Sequence, residues 1–410
     1  MSVQFFEGVE KLLEIWFSTN VNNNHNKKET SQQQQQQQQQ QKLEIESKHD
    51  LRIIPRQKWE SLLKIVRCEI ISFCRNDSVD AYVLSESSMF VSKRRLILKT
   101  CGTTTPLQCL EPLLDLVESY TGFDKVENLF YSRKNYKRPE LQIAPHRAFE
   151  EEVTLLDTFF PGKYLNQTTM QAGRIRNAKI VTTSLISSDG EAYCLGSEES
   201  ECWYLYTLNR EAAPSSAPQP TGQQESTDDA PPTTTTTTTM NEREPDQTLE
   251  IMMTQLDPEV MSIFTRHVCS SAEEATRKSG IDQLLPNMLI DDFLFEPCGY
   301  SMNGVSKNGS YMTIHITPEP DFSYVSFESN VAAASYGDVI ERVLRCFKPG
   351  KFVVSIFANK QSVAAEGPRE LEQSDDCLGG LRRDYVRDDA QYCRFKNYDL
   401  SCAFYSKFPS

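Results

Sequence analysis

The chain has little of what marks most enzyme classes. Histidine occurs five times in 410 residues, at His25, His49, His146, His267 and His315, so a mechanism needing an imidazole base has few places to find one. No C-x-x-C pair occurs among the twelve scattered cysteines, which argues against a zinc site. Positive charge is short: 43 Lys and Arg face 57 Asp and Glu, and the net charge of -14 is the wrong sign for a nonspecific nucleic-acid binder or a basic membrane-surface protein. No apolar run approaches the roughly 18 residues of a membrane span. The opening MSVQFFEGVEKLLEIWF lacks a basic region and carries Glu7, Glu10 and Glu14 where a secretory signal would be apolar. A cytosolic chain with reduced, mostly buried thiols is the expectation. G-x-G-x-x-G, the P-loop, G-x-S-x-G and H-E-x-x-H are also missing, and with them the dinucleotide, P-loop, hydrolase and zincin readings.

Length at about 150 residues per domain suggests two or three domains, but part of the chain reads as insertion. Residues 20–48 hold ten consecutive glutamines, 32 to 41, and 210–243 hold seven threonines, 233 to 239; neither can bury enough apolar surface to offset its ordering entropy. A third polar stretch, 163–190, contains a short apolar run at Ile180 that suits a strand. Elsewhere, strands are expected at 82–84 and 96–99, with Ser85 to Ser88 in or beside a turn and a basic turn at 93–95. Thr105 and Pro106 look like the N-cap and N1 of a helix closed by Gly122, and 145–160 carries a helical stripe of Phe149, Val153, Leu156 and Phe160. Strands at 248–255, 288–295, 310–317, 322–328 and 351–358 and a helix at 336–347 follow. Such runs predict an α+β fold with mostly antiparallel sheets. The first segment fits either a helical stripe or a strand with Glu10, Leu12 and Glu14 on one face.

Five strings stand out: FFEG at 5–8, LSESSMF at 84–90, KTCGTT at 99–104, CGYSMNG at 298–304 and IHITPEP at 314–320. A serine-rich turn is ordinary, yet a serine on a strained backbone can attack the carbonyl before it and convert amide to ester. Cys101 reads as a buried thiol or as a proton donor, its ordinary pKa being about 8.5. His315 shares a strand face with Tyr311 and Thr313, and reads as a core histidine or as a general base with Ser301 nearby. Glu319, between two prolines, suits a solvated strand end or a carboxylate that accepts ribose hydroxyls.

In this order, the five strings resemble the eukaryotic S-adenosylmethionine decarboxylases, pyruvoyl enzymes of polyamine synthesis. Further strings support the resemblance, among them FYSRKN at 130–135, CWYLYTL at 202–208, PDQTLEI at 245–251, SYVSFE at 323–328 and FKPGKF at 347–352. It implies one large four-layer αββα sandwich with two antiparallel sheets face to face, self-cleaved between Glu86 and Ser87 into chains 1–86 and 87–410. Ser87 would attack the Glu86 carbonyl while Ser301 stabilises the cyclic intermediate. His315 would then remove the α-proton, leaving a pyruvoyl cofactor made from Ser87. Substrate amine would form a Schiff base there and lose carbon dioxide, and Cys101 would return a proton to the α-carbon. The product is the aminopropyl donor for spermidine and spermine.

Carried over by the same resemblance, Phe6 and Phe295 stack the adenine, Glu319 holds the ribose, and Leu84, Glu86, Glu7 and Glu10 belong to the site. Putrescine, an activator of many members, would bind Glu14, Asp246, Glu250 and Glu328, with Thr248, Phe130, Phe357 and Tyr398 around them. Plant relatives that need no putrescine place basic residues there; Leu12 and Phe130 are apolar here, which favours putrescine dependence. The resemblance leaves room for a homodimer of cleaved protomers. Two other classes compete: an inactive paralogue that regulates a catalytic partner, and a Cys101/His315 hydrolase with an intact chain.

Overall fold

The computed structural model describes residues 6–19, 48–160, 179–180, 190–196, 201–209 and 244–408. The opening segment is a strand, β1 (Lys11–Ser18). Its period of two separates Leu13, Ile15 and Phe17, which join an apolar core, from Leu12 and Glu14, which line a cavity on the opposite face. Neighbours on both sides saturate its backbone, so β1 is interior to its sheet.

Eight more strands complete that sheet: β2 (Ile70–Arg75), β3 (Val79–Leu84), β4 (Ser87–Ser92), β5 (Arg95–Thr100), β6 (Lys125–Lys134), β7 (Lys179–Ile180), β8 (Gly190–Gly196) and β9 (Cys202–Asn209). Their order is β2-β3-β4-β5-β1-β6-β9-β8-β7. The second sheet has β10 (Gln247–Thr254), β11 (Leu289–Leu294), β12 (Tyr300–Val305), β13 (Tyr311–Thr317), β14 (Tyr324–Ser329), β15 (Lys351–Asn359), β16 (Tyr385–Arg394) and β17 (Tyr398–Lys407). Here the order is β11-β12-β13-β14-β10-β15-β17-β16. Every pairing is antiparallel.

Helices α1 (Arg56–Val66), α2 (Leu110–Thr121) and α3 (Phe149–Phe159) cover the outer face of the first sheet, burying Trp59, Leu63, Leu113, Val117 and Leu156 against Leu13, Leu98 and Leu129. On the second sheet, α4 (Pro258–Ser262), α5 (Ala272–Ser279), α6 (Gly337–Phe347) and α7 (Gly367–Gln373) contribute Val260, Ala275, Val343, Phe347 and Leu371 to a core with Ile251, Phe327 and Val354. Each such large side chain contributes about 1.5–3 kcal/mol on burial. The architecture is the expected αββα sandwich.

Between the sheets the packing changes character. Apolar clusters around Phe130 and Tyr398, and around Phe90 and Tyr311, flank a buried layer that includes Glu10, Arg95, Lys99, Asn303, Thr313, His315 and Glu328. Charge in such a place is costly unless it is paired, which directs attention to that layer.

Some local features match expectation, and two helix starts do not. The turn after β3 is confined to Ser85 and Glu86, because Ser87 already pairs with Leu84 and Thr100. Thr105 does not cap α2: its hydroxyl donates to Ile65 O at 2.9 Å, and a short 3-10 turn, Pro106–Cys109, precedes the helix. Gly122 closes α2 at φ 71°, a conformation open to a residue without Cβ. The expected helix at 145–160 starts at Phe149. The apolar run at Ile180 forms β7. Apart from Lys48, residues 179 and 180, and Gly190, the expected insertions lie outside the described residues.

Candidate active site

The Glu86-Ser87 bond lies at the mouth of a hairpin in which only Ser85 and Glu86 separate β3 from β4. Alternation along β4 sends Met89 and Val91 to the helix side and Phe90 toward the other sheet, which would assign Ser87 to the helix side. Instead, Ser87 adopts φ 126°, a region that L side chains seldom enter, and its Oγ donates to Glu10 Oε1 at 2.7 Å. A backbone held there stores about 1–3 kcal/mol of strain. The Glu86 carbonyl that precedes it accepts from Cys101 N–H at 3.0 Å and from Cys101 Sγ at 3.4 Å.

His315 projects from β13 beside this bond. Its Nδ1 lies 2.9 Å from Ser301 Oγ, while its Nε2 lies 2.8 Å from Thr313 Oγ1 and 3.0 Å from Ser88 Oγ. Ser88 also donates to Asn303 Oδ1 at 2.7 Å. These hydroxyls fix the ring, and burial lowers its pKa to about 4, so the imidazole is neutral at physiological pH. Burial likewise pushes the Cys101 thiol well above its usual value, with Glu86 and Glu10 adding to the shift, so the sulfur keeps its proton. Glu10 behaves oppposite to them. Burial works against its charge, but the Lys99 ammonium, helped by the Ser87 hydrogen bond, holds the carboxylate below its ordinary range.

These groups open onto a cleft of about 300 Å³ whose walls include Phe6, Phe295 and Glu319 as well as Glu86, Ser87 and Cys101. Glu319 Oε2 is buried with no hydrogen-bond partner among the described residues, so an acceptor is available to a ligand's hydroxyls. The cleft size suits a small organic molecule.

A second, tighter cavity of about 40 Å³ lies deeper between the sheets, lined by Leu12, Glu14, Phe130, Thr248, Glu250, Glu328 and Phe357. The sequence reading missed two cations that pair with its carboxylates. Lys99 reaches Glu328 at 2.7 Å, Glu250 at 2.8 Å and Glu10 at 3.4 Å, and Arg95 reaches Glu14 at 2.9 Å and Asp246 at 3.0 Å. Five buried carboxylates therefore share two cations. Burial, with Lys99 opposing it and Glu328 reinforcing it, raises the pKa of Glu250; Glu14 is raised in the same way against Arg95. Tyr398 donates to Asp246 Oδ2 at 3.1 Å and stacks on Phe357 at 4.5 Å. Lys99 joins the two sites, since one of its carboxylates, Glu10, holds Ser87.

The other expected residues are placed unevenly. Glu7 turns from the cleft: its Oε2 accepts the amides of Lys137 and Arg138 at 2.9 and 3.3 Å. The Leu84 side chain packs in the helix-side core, leaving only its backbone at the hairpin. Ser301 binds the imidazole, and the donors found on the Glu86 carbonyl belong to Cys101. Parity offered a signal for the missed cations: Arg95 and Lys99 occur at even spacing in an otherwise apolar strand, two charges on one face of β5.

Comparisons with known proteins fit this geometry. A family model described as Adenosylmethionine decarboxylase matches residues 3–406. An S-adenosylmethionine decarboxylase proenzyme of Drosophila melanogaster is 48% identical over 402 residues, covering 98% of this chain and 95% of the relative. One from Xenopus laevis is 43% identical over 406 residues, with 99% and 96% covered. A crystal structure of the Trypanosoma brucei AdoMetDC-delta26 monomer matches in fold, with TM-score 0.52 and 22% identity over 78% of this chain and 99% of that one. The chain belongs to the adenosylmethionine decarboxylase family.

Proposed function

We propose that this chain is a self-processing, pyruvoyl-dependent decarboxylase that converts S-adenosylmethionine to its decarboxylated form and carbon dioxide, supplying the aminopropyl donor for polyamine synthesis. The observation that carries the reading is Ser87 at φ 126° with its hydroxyl on Glu10, beside a carbonyl already met by two donors. Ser87 Oγ attacks the Glu86 carbonyl carbon as its proton passes to Glu10. The oxygen that gains charge faces the Cys101 amide and thiol. The C–N bond then breaks, the nitrogen takes the proton back from Glu10, and an ester joins Glu86 to the Ser87 side chain. Neutral His315 removes the Ser87 α-proton and the ester C–O bond breaks, freeing the Glu86 carboxylate. Tautomerisation and hydrolysis of the new N-terminus release ammonia and leave a pyruvoyl group.

The residues fit that group, since strain, nucleophile, base and carbonyl donors meet at one peptide bond. When formed, its carbonyl supplies a sink for the electron pair left as the substrate carboxylate departs. Phe6 and Phe295 flank the purine, and Glu319 Oε2 accepts ribose hydroxyls. Cys101, kept protonated by burial, protonates the substrate's α-carbon.

The second cavity is proposed as the site of putrescine. Its excess of carboxylates calls for a cation, and Phe130 and Phe357 suit a short alkyl chain. All twelve cysteines are free thiols, in keeping with a reducing cytosol. No helix among the described residues is long and apolar enough to cross a membrane. Assays of carbon dioxide release from purified protein test the activity: release that rises with added putrescine is expected. Protein that self-cleaves yet releases none overturns the substrate assignment, and insensitivity to putrescine removes the activator.

A further inference from the structure

Lys11 is a buried cation with no paired anion among the described residues. It is fully enclosed on the helix side of β1, and among the described residues no carboxylate comes within ion-pair distance. Its Nζ donates to Gly102 O at 3.0 Å and to Gln142 Oε1 at 3.4 Å, and lies 5.4 Å from the Tyr136 ring centre. Glu152, an acid whose charge acts on Lys11, is already taken by Arg133 Nε at 2.8 Å, by Tyr131 at 2.6 Å and by His146 at 2.8 Å. A lone buried charge is expensive, so a compensating role is to be expected.

The carbonyl Lys11 grips belongs to the residue after Cys101. The same turn is fixed by Gly102 N–H donating to Glu7 O at 2.8 Å and by Thr104 Oγ1 donating to Cys101 O at 2.6 Å, and Gly102 sits at φ 60°. We propose that Lys11 is a positioning residue for Cys101: it pins the Cys101-Gly102 turn and stabilises the thiolate that remains when Cys101 gives up its proton. The inference rests on the reading of Cys101 as proton donor. In that step the pair on the substrate's α-carbon takes the thiol proton, a C–H bond forms, the S–H bond breaks, and its electron pair stays on sulfur. Lys11 then has the anion it lacked, so its charge favours the product of proton transfer over the resting thiol. Water entering the cleft afterwards restores the thiol. Burial lowers the Lys11 pKa to about 8, with Cys101, Glu152 and Glu7 opposing the shift and the Arg133 cation adding to it, so the ammonium predominates at pH 7.

The test uses the uncut Ser87→Ala chain, so that it does not depend on cofactor formation. Iodoacetamide alkylation at pH 7 is followed peptide by peptide, and the Cys101 rate is divided by that of Cys298, which lines the same cleft and reports access. The reactive species is the thiolate, so a thiol pKa higher by one unit lowers the ratio about tenfold. Lys11→Met is expected to lower it by about that factor, and in the cleavable chain to reduce decarboxylation kcat with little change in KM. Lys11→Gln, which retains a donor for Gly102 O, is the second neutral variant should Lys11→Met not fold. An unchanged ratio in a folded neutral variant overturns the proposal while leaving the self-processing reading intact.

Discussion

The two sites between the sheets are built from opposite solutions to burial. Around Ser87, His315 and Cys101 are stripped of solvent and left without charged partners close enough to win, so both stay neutral: the imidazole can accept a proton and the thiol can donate one. In the deeper cavity, carboxylates keep charge only by sharing Lys99 and Arg95. The first arrangement suits proton transfer and the second suits cation binding. Glu10 belongs to both, bonded to Ser87 on one side and facing Lys99 on the other.

Removing the shared carboxylate should have the largest effect. Glu10→Gln is expected to slow self-cleavage by about 10²–10⁴, the usual contribution of a positioned general base. A time course on a denaturing gel reads it, and cleavage at the wild-type rate would detach Glu10 from the chemistry. Lys99→Met cuts the connection from the other end. Three buried carboxylates lose their shared cation, and a loss of about 3–5 kcal/mol in urea unfolding is expected. A change within about 0.5 kcal/mol would mean that the cavity's charges are already neutral.

The neutral imidazole makes a pH prediction. Its folded value of about 4 lies below the unfolded value of about 6.5, so between these the unfolded chain holds more protons. The stability from burying the neutral ring is fully present above pH 6.5 and is lost as pH falls toward 4, at most about 3 kcal/mol. Unfolding of His315→Gln should lack that part of the slope, and identical slopes would place the acid sensitivity elsewhere. The smallest effect is expected at the rim of the cavity. Tyr398→Phe deletes one hydrogen bond to Asp246 and keeps the stack on Phe357, so putrescine activation should weaken by a few fold, about 1 kcal/mol. Abolished activation would give the hydroxyl a direct part in binding.

Much of the fold was legible because local pattern and burial agree: the stripe Phe149, Val153, Leu156 is buried as expected, and the five strands expected in the second sheet fall within a residue or two of their predicted positions, whereas β12, β16 and β17 were not anticipated. The first segment was ambiguous because both periods fit, and only pairing with β5 and β6 chooses the strand. Ser87, Cys101, Ser301 and His315 were singled out from distinctive strings, and they do converge. Lys99 and Arg95 were not, because nothing local says that the face of β5 they occupy meets five carboxylates from β1, β10, β14 and their approaches. Likewise, no string reveals that Glu7 spends its carboxylate on two backbone amides or that Ser87 abandons the alternation of its strand.

Intact mass of the purified wild-type chain beside Ser87→Ala tests the central claim most directly. Wild type should give two pieces that divide at Glu86-Ser87, the larger one with a carbonyl in place of its N-terminal amine, while Ser87→Ala stays whole at 46.8 kDa. A wild-type chain that remains whole, or a Ser87→Ala chain that divides at the same bond, contradicts the account.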